Sequence, residues 1–163
     1  MFANGRVHLD KVIALYDPAE HRPLTTRFSV DARVAALCFR SVALWFLGYP
    51  AAALADADHA LGDAREIKHA ITLMFALVQT SVTLVNCGNY AKANTLIDEL
   101  TVLADEIGSL YWKAAGMSSR GCAICPDRQS RRRSSNDILG AQCTASNRNN
   151  LREAEGLIFF GES

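Results

Sequence analysis

The chain has 163 residues, half of them hydrophobic, which is enough for one ordinary domain with a sizeable core. Its 17 basic residues equal its 17 acidic ones, so the overall charge does not indicate nucleic acid, an anionic membrane or a strongly acidic ligand as a partner. The first residues contain no uncharged apolar core of the kind that a secretory signal needs, and five cysteines is an odd count. We therefore expect reduced thiols and a cytoplasmic location.

The first predicted element is a helix over residues 7–16, within a leading segment of residues 1–20. We interpret this segment as the returning helix of an earlier helix pair whose first helix is missing.

A first complete helix pair is predicted over residues 31–67. Asp31 suits the N-cap of its first helix, and the apolar residues after it follow the i, i+3, i+4, i+7 pattern of one helical face. Gly48 and Pro50 then break the helix, and Pro50 suits the first turn of the next one. The second helix carries small residues along one side, which let the two helices approach closely: Ala53, Ala57, Ala60 and Ala64.

A second pair is predicted over residues 70–108. Gly88 and Asn89 form the turn between its helices, and Gly108 suits the C-terminal stop of the second one. The apolar stripe of this second helix is very regular and consists of Ala93, Leu96, Ile97, Leu100, Leu103, Ala104 and Ile107.

The two most apolar stretches, residues 32–47 and 70–85, lie in the first helices of these pairs. Arg40 interrupts the first stretch and Gln79 the second, so both fall short of the roughly 18 uninterrupted apolar residues of a membrane span. They predict buried helices, and we expect no membrane partner.

The two pairs are related by a shift of forty positions. The shift matches Ala36 with Ala76, Leu37 with Leu77, Ser41 with Ser81, Leu44 with Leu84, Gly48 with Gly88, Ala53 with Ala93 and Ala64 with Ala104. A fixed period of roughly 20–50 residues is typical of stacked repeats, because a single helix pair cannot bury its apolar face.

A third pair begins over residues 109–124, but no returning helix follows in the forty-residue register. The inner face of its helix should therefore be partly exposed: Leu110, Trp112, Ala115 and Met117. An exposed apolar patch of this kind favours self-association.

Residues 125–163 form a tail of different composition. From about Cys122 the sequence is rich in Ser, Arg, Asn and Cys and nearly free of periodic apolar residues, which predicts disorder. An abrupt change of this kind is also what reading a GC-rich gene in the wrong frame tends to produce. A frameshift near codons 122–126 is therefore our second interpretation of the tail.

The residues around the two turns resemble the Gly-x-Tyr-x-x-Ala signature of tetratricopeptide repeats. The matching positions are Gly48 and Ala53 in the first pair and Gly88, Tyr90 and Ala93 in the second. Pro50 stands where the first pair should have its tyrosine, and the period is forty where the standard repeat has 34. The resemblance implies an all-α, tetratricopeptide-like solenoid of antiparallel helix pairs.

Residues 21–61 and 84–117 also resemble the repeat-rich C-terminal part of bacterial adenylate/guanylate cyclase-type proteins, which carry a cyclase domain, an ATPase domain and then a helical repeat array. The likeness covers about residues 5–122 and includes no cyclase or ATPase motif. It implies a regulatory, partner-binding region of a signalling protein, of which this chain would be a fragment.

Polar residues on the otherwise apolar first helices are the candidate binding residues. In a curved array these helices line a groove that can hold a peptide or helix of a protein partner. The candidates are Arg40, Gln79, Thr83 and Asn86.

No catalytic, cofactor-binding or metal-binding residue is predicted. Cys122 and Cys125 have the spacing of half a zinc site, but no second close pair accompanies them. The basic run of residues 131–133 is short and has no interleaved aromatic residues, so nucleic-acid binding is not expected.

Three hypotheses for function remain open. The first is a non-catalytic protein–protein interaction and regulatory module. The second is a repeat domain that senses a small molecule, and the third is a truncated remnant with no present function.

Overall fold

The computed structural model describes residues 2–124, and this part of the chain is all-helical, with no strand between those limits. The predictions for the tail, residues 125–163, concern positions outside the described range. The long helices are α1 (Phe2–Leu15), α4 (Ala32–Phe46), α5 (Pro50–Ile67), α6 (Ala70–Asn86), α7 (Tyr90–Ile107) and α8 (Leu110–Ile124). The connection from α1 to α4 contains α2 (Pro18–His21), a 3₁₀ turn (Arg22–Leu24) and α3 (Thr25–Phe28).

Each long helix from α4 onward packs against the helix that follows it in the chain. In addition, α4 and α8 both lie against α6, and α1 packs on α4. The first helices of successive pairs are therefore direct neighbours. No helix in the described part of the chain is both long enough and apolar enough to cross a membrane.

The turns within the two pairs have the same backbone geometry. Gly48 has φ +86° and Gly88 has φ +79°, a region that favours glycine because it has no Cβ. The N–H of Gly48 donates to Trp45 O at 3.0 Å, and the N–H of Gly88 donates to Val85 O at the same distance. These bonds satisfy carbonyls that the helix end would leave unpaired.

The predicted helix ends at Asp31, Pro50 and Gly108 are confirmed. The Asp31 carboxylate caps α4 by accepting from the N–H groups of Arg33 and Val34 at 3.0 and 3.1 Å. Pro50 lies in the first turn of α5, where its missing N–H costs nothing. Gly108 caps α7 in the left-handed conformation.

The core repeats with the sequence. Both residues are buried in several pairs of positions that lie forty apart. These pairs are Leu37 and Leu77, Leu44 and Leu84, Ala53 and Ala93, and Ala64 and Ala104. Tyr90 of the signature begins α7 and is half-buried. Both members of each of these four position pairs therefore belong to the core.

A polar junction ties the α1–α4 connection to the helices that follow. Tyr16 donates its hydroxyl hydrogen to Asp31, whose backbone N–H in turn donates to Thr72 Oγ1 of α6 at 3.2 Å. Burial, followed by the bond to Asp31, raises the pKa of Tyr16 to about 12. His69 caps α6 through its Nδ1 atom, which lies 2.9 Å from the same Thr72 hydroxyl.

Candidate functional site: an aromatic face on the first helices

The first helices of the two pairs share one exposed, largely apolar face. We call it the aromatic face, and it consists of Phe39, Val42 and Phe46 on α4 and Ile71, Phe75, Gln79, Val82 and Asn86 on α6. These residues recur at helical spacings of three or four on each helix, which places them along one side. Phe39, Phe46 and Ile71 are exposed, and the other members are half-buried.

Aromatic contacts join the two helices across this face. The rings of Phe39 and Phe75 meet edge to face with 5.8 Å between their centroids, a favourable arrangement for aromatic pairs. Trp45 of α4 donates its Nε1 hydrogen to the backbone carbonyl of Asn86 at 3.0 Å and packs against Phe46. The face is therefore a surface built by two helices together.

Charge is excluded from this face. The first helices α4, α6 and α8 contain no acidic residue, and α6 contains no charged residue at all. The cations of α4 and α8 are Arg33, Arg40, Lys113 and Arg120, and each pairs with a carboxylate of α5, α7 or α1. Only apolar groups and the amides of Gln79 and Asn86 are presented on the aromatic face.

Arg40, a predicted groove residue, instead binds within the molecule. Its Nε and Nη2 atoms donate to the two oxygens of the Asp56 carboxylate at 2.6 and 2.8 Å, and its Nη1 donates to Asp10 at 2.8 Å. These bonds, with the one to Asp56 strongest, raise the pKa of Arg40. Arg40 thereby joins α4 to both α1 and α5, and all three of its donor nitrogens are engaged.

Thr83, which was also predicted to line the groove, has no exposed surface. Its hydroxyl donates to the Gln79 carbonyl one turn earlier at 3.2 Å and lies 2.9 Å from the Ser41 hydroxyl of α4. Threonine commonly satisfies its hydroxyl inside a helix in this way. Thr83 therefore packs α6 onto α4 and cannot contact a ligand in an open groove.

Gln79 and Asn86, the other two predicted groove residues, both lie on the aromatic face. The sequence analysis named neither Phe39 nor Phe46 as a candidate binding residue. The available signal was the spacing of these two residues, which lie seven positions apart on α4. Phe75 of α6 lies forty positions after Ala35.

The two described cysteines of the helix pairs are not activated. Burial raises the pKa of Cys38 to about 12, and burial also raises the pKa of Cys87. Both thiols are therefore protonated at neutral pH, whereas nucleophilic catalysis needs the thiolate. Within residues 2–124 no three His, Cys, Asp or Glu side chains are placed to hold a metal ion.

A small cleft of about 130 Å³ lies between the α1–α4 connection and the facing ends of α4 and α5. Its polar groups already bind each other, since Tyr16 donates to Asp31 and Arg33 Nε donates to Asp63 at 2.9 Å. The cleft is also smaller than the roughly 300 Å³ at which ordinary ligand pockets begin. We therefore take the aromatic face, not this cleft, as the candidate site.

Comparison of the chain with protein-family models, with curated proteins and with solved structures finds no match.

Proposed function

We propose that this chain is a non-catalytic protein–protein interaction module, built as a tetratricopeptide-like solenoid, that binds a partner segment on its aromatic face. The observation that carries the proposal is the exposure of Phe39 and Phe46 beside Phe75 on neighbouring first helices. The forty-residue period and the contacts of α6 with both α4 and α8 support the solenoid.

The chemistry of the face indicates the kind of partner. Contiguous apolar patches on a protein surface mark interaction sites, and large aromatic residues dominate binding energy at such sites. Because the face has no charge, we expect an amphipathic helix whose buried side carries Leu or Phe at i, i+3 or i+4, and i+7. The amides of Gln79 and Asn86 would fix the orientation of that helix through a small number of hydrogen bonds.

A regulatory role in a cyclase-type signalling protein is part of the same proposal. It rests on the resemblance of the repeats around Gly48 and Gly88 to those of such proteins. In that role the module would hold a partner and influence enzymes elsewhere in the assembly without itself catalysing a reaction.

The test is a selection of helical peptides from a display library against the full chain, followed by affinity measurement on two variants. Phe46→Ala removes an exposed ring from the aromatic face, and Phe28→Ala removes an exposed ring from α3 as the matched control. Truncating an anchor residue of an interface weakens binding by roughly tenfold or more. The proposal predicts such a loss for Phe46→Ala and unchanged affinity for Phe28→Ala.

Equal affinity of the selected peptides for both variants and the parent chain would contradict the proposal. A selection that returns no saturable binder would contradict it as well.

A further inference from the structure

One side of α8 is exposed, although the equivalent side of α4 and α6 contains their most buried residues. Met117 is 66% exposed, whereas its counterparts at intervals of forty, Leu77 and Leu37, are 0% and 2% exposed. Ala114 is exposed as well, although Val34 and Met74 at the same register position are buried.

We call this surface the open stripe, and it consists of Leu110, Ala114, Met117 and Gly121. The spacing of four, three and four residues places these positions along one line of the helix. The positions of α4 and α6 that correspond to Ala114, Met117 and Gly121 are all buried, whereas Ala70, the counterpart of Leu110, is exposed. In the described part of the chain α8 packs mainly on α6 and α7. The open stripe is therefore a helix-packing surface without a helix on it in residues 2–124.

The open stripe is complementary to itself in the antiparallel direction. About a two-fold axis between Ala115 and Gly116, Leu110 of one copy lies opposite Gly121 of the other, and Met117 lies opposite Ala114. Each large side chain thus faces a small one, which is how packed helices interdigitate. A two-fold interface requires this self-complementarity, since both copies use the same surface.

Charge does not oppose the contact. The two charged residues of α8 are Lys113 and Arg120, and both bind carboxylates of α7: Lys113 donates to Asp105 at 2.7 Å, and Arg120 pairs with Asp98. The open stripe itself carries no charged side chain. Two copies can therefore bring their α8 helices together without placing unneutralised like charges in contact.

We propose that two copies of this chain form a two-fold dimer by antiparallel packing of α8 against α8 through the open stripe. The occupant of the stripe is a second copy of the chain. The proposal is independent of the proposed function, because the open stripe lies on α8, whereas the aromatic face lies on α4 and α6.

The test is the mass of the full chain by sedimentation or light scattering between about 1 and 100 µM, the range expected for a small interface. The mass should rise from the 17.8 kDa of one chain toward twice that value. Met117→Asp should weaken the dimer at least tenfold, because it places a charge in the centre of the contact. Val102→Asp, at an exposed apolar position of α7, is the matched control and should leave the dimer unchanged.

Gly121→Leu separates specific packing from general stickiness. A Cβ at Gly121 meets no atom within 4 Å, so this variant keeps the fold. It enlarges the apolar surface but fills the space that Leu110 of the second copy needs, so the dimer should weaken. A stronger association of Gly121→Leu would overturn the proposal, and so would a mass of one chain throughout the concentration range.

Discussion

The two complete helix pairs, α4–α5 and α6–α7, share their turns but differ in what fills the space between their helices. In the first pair Arg40 and Asp56 form a bidentate ion pair, whereas the same positions in the second pair hold Thr80 and Leu96. Thr80 donates its hydroxyl to the Ala57 carbonyl of the preceding helix at 3.2 Å, and Leu96 is buried in the core.

The difference follows from the neighbours of each pair. The second pair packs on α5, which offers a backbone carbonyl, whereas the first pair packs on α1, which offers the carboxylate of Asp10. The long side chain of Arg40 binds carboxylates on two helices, whereas the short side chain of Thr80 binds one backbone carbonyl at the equivalent position. The two helix pairs therefore have the same turn geometry, while their side-chain contacts differ with the helix that precedes each pair.

The largest expected effect tests what the pairs have in common. Leu37→Ala and Leu77→Ala should each lower the free energy of unfolding by about 2–5 kcal/mol, because both side chains are fully buried. Chemical denaturation measures both values. A difference of more than about 2 kcal/mol between them would show that the pairs are not equivalent in packing.

The second-largest effect tests the ion pair between Arg40 and Asp56 in the first helix pair. Asp56→Ala leaves Arg40 with only Asp10 and should cost about 2–3 kcal/mol, since a largely buried charge loses its main partner. Asp58→Ala is the matched control, because it removes an exposed carboxylate paired with Lys92 and should cost less than about 1 kcal/mol. Equal losses in thermal or chemical unfolding would count against a special role for Asp56.

The third prediction converts one pair into the other. The double variant Arg40→Thr with Asp56→Leu gives the first pair the residues of the second and should be clearly more stable than Asp56→Ala. Removing both members of a buried ion pair avoids the cost of leaving one buried charge without its partner, which the single variant incurs. A double variant as unstable as the single one would mean that the first pair needs the arginine itself.

The smallest effect at neutral pH concerns Cys38, whose counterpart in the second pair is Val78. A thiol with a pKa of about 12 when folded, against an ordinary value of 9, stabilises the fold fully below pH 9. That contribution is lost as pH rises from about 9 to 12, because the unfolded chain releases the proton more easily. Cys38→Val should change neutral stability by less than about 1.5 kcal/mol and make stability fall less steeply above pH 9.

An unchanged slope above pH 9 in Cys38→Val would contradict the burial argument. The free energy of unfolding of that variant should still fall somewhat between pH 10 and 12, because the pKa of Tyr16 is also raised, to about 12.

The helix pattern could be predicted from the sequence because its signals are local. The cap at Asp31, the turn at Gly48 and the stop at Gly108 each depend on a few adjacent residues. The short helices between α1 and α4 were not predicted, because the polar junction that holds this connection depends on Tyr16 meeting Asp31, fifteen positions away.

The candidate site was only half predictable. A polar residue on an apolar helix can face a ligand, as the positions of Gln79 and Asn86 allow, or be satisfied internally, as Arg40 and Thr83 are. The sequence alone does not distinguish these outcomes, because the partners of Arg40 lie 16 and 30 positions away. An acidic residue in the alanine stripe of α5, Asp56, was the one available sign that a buried cation lies opposite.

The binding role of the aromatic face is tested most directly by a nuclear magnetic resonance map of the full chain with and without a selected helical peptide. Signals of Phe39, Phe46 and Gln79 should shift on binding, while those of outward positions on α7 such as Val102 should not. Shifts confined to α5 and α7, with the aromatic face unaffected, would contradict the claim that the first helices carry the recognition surface.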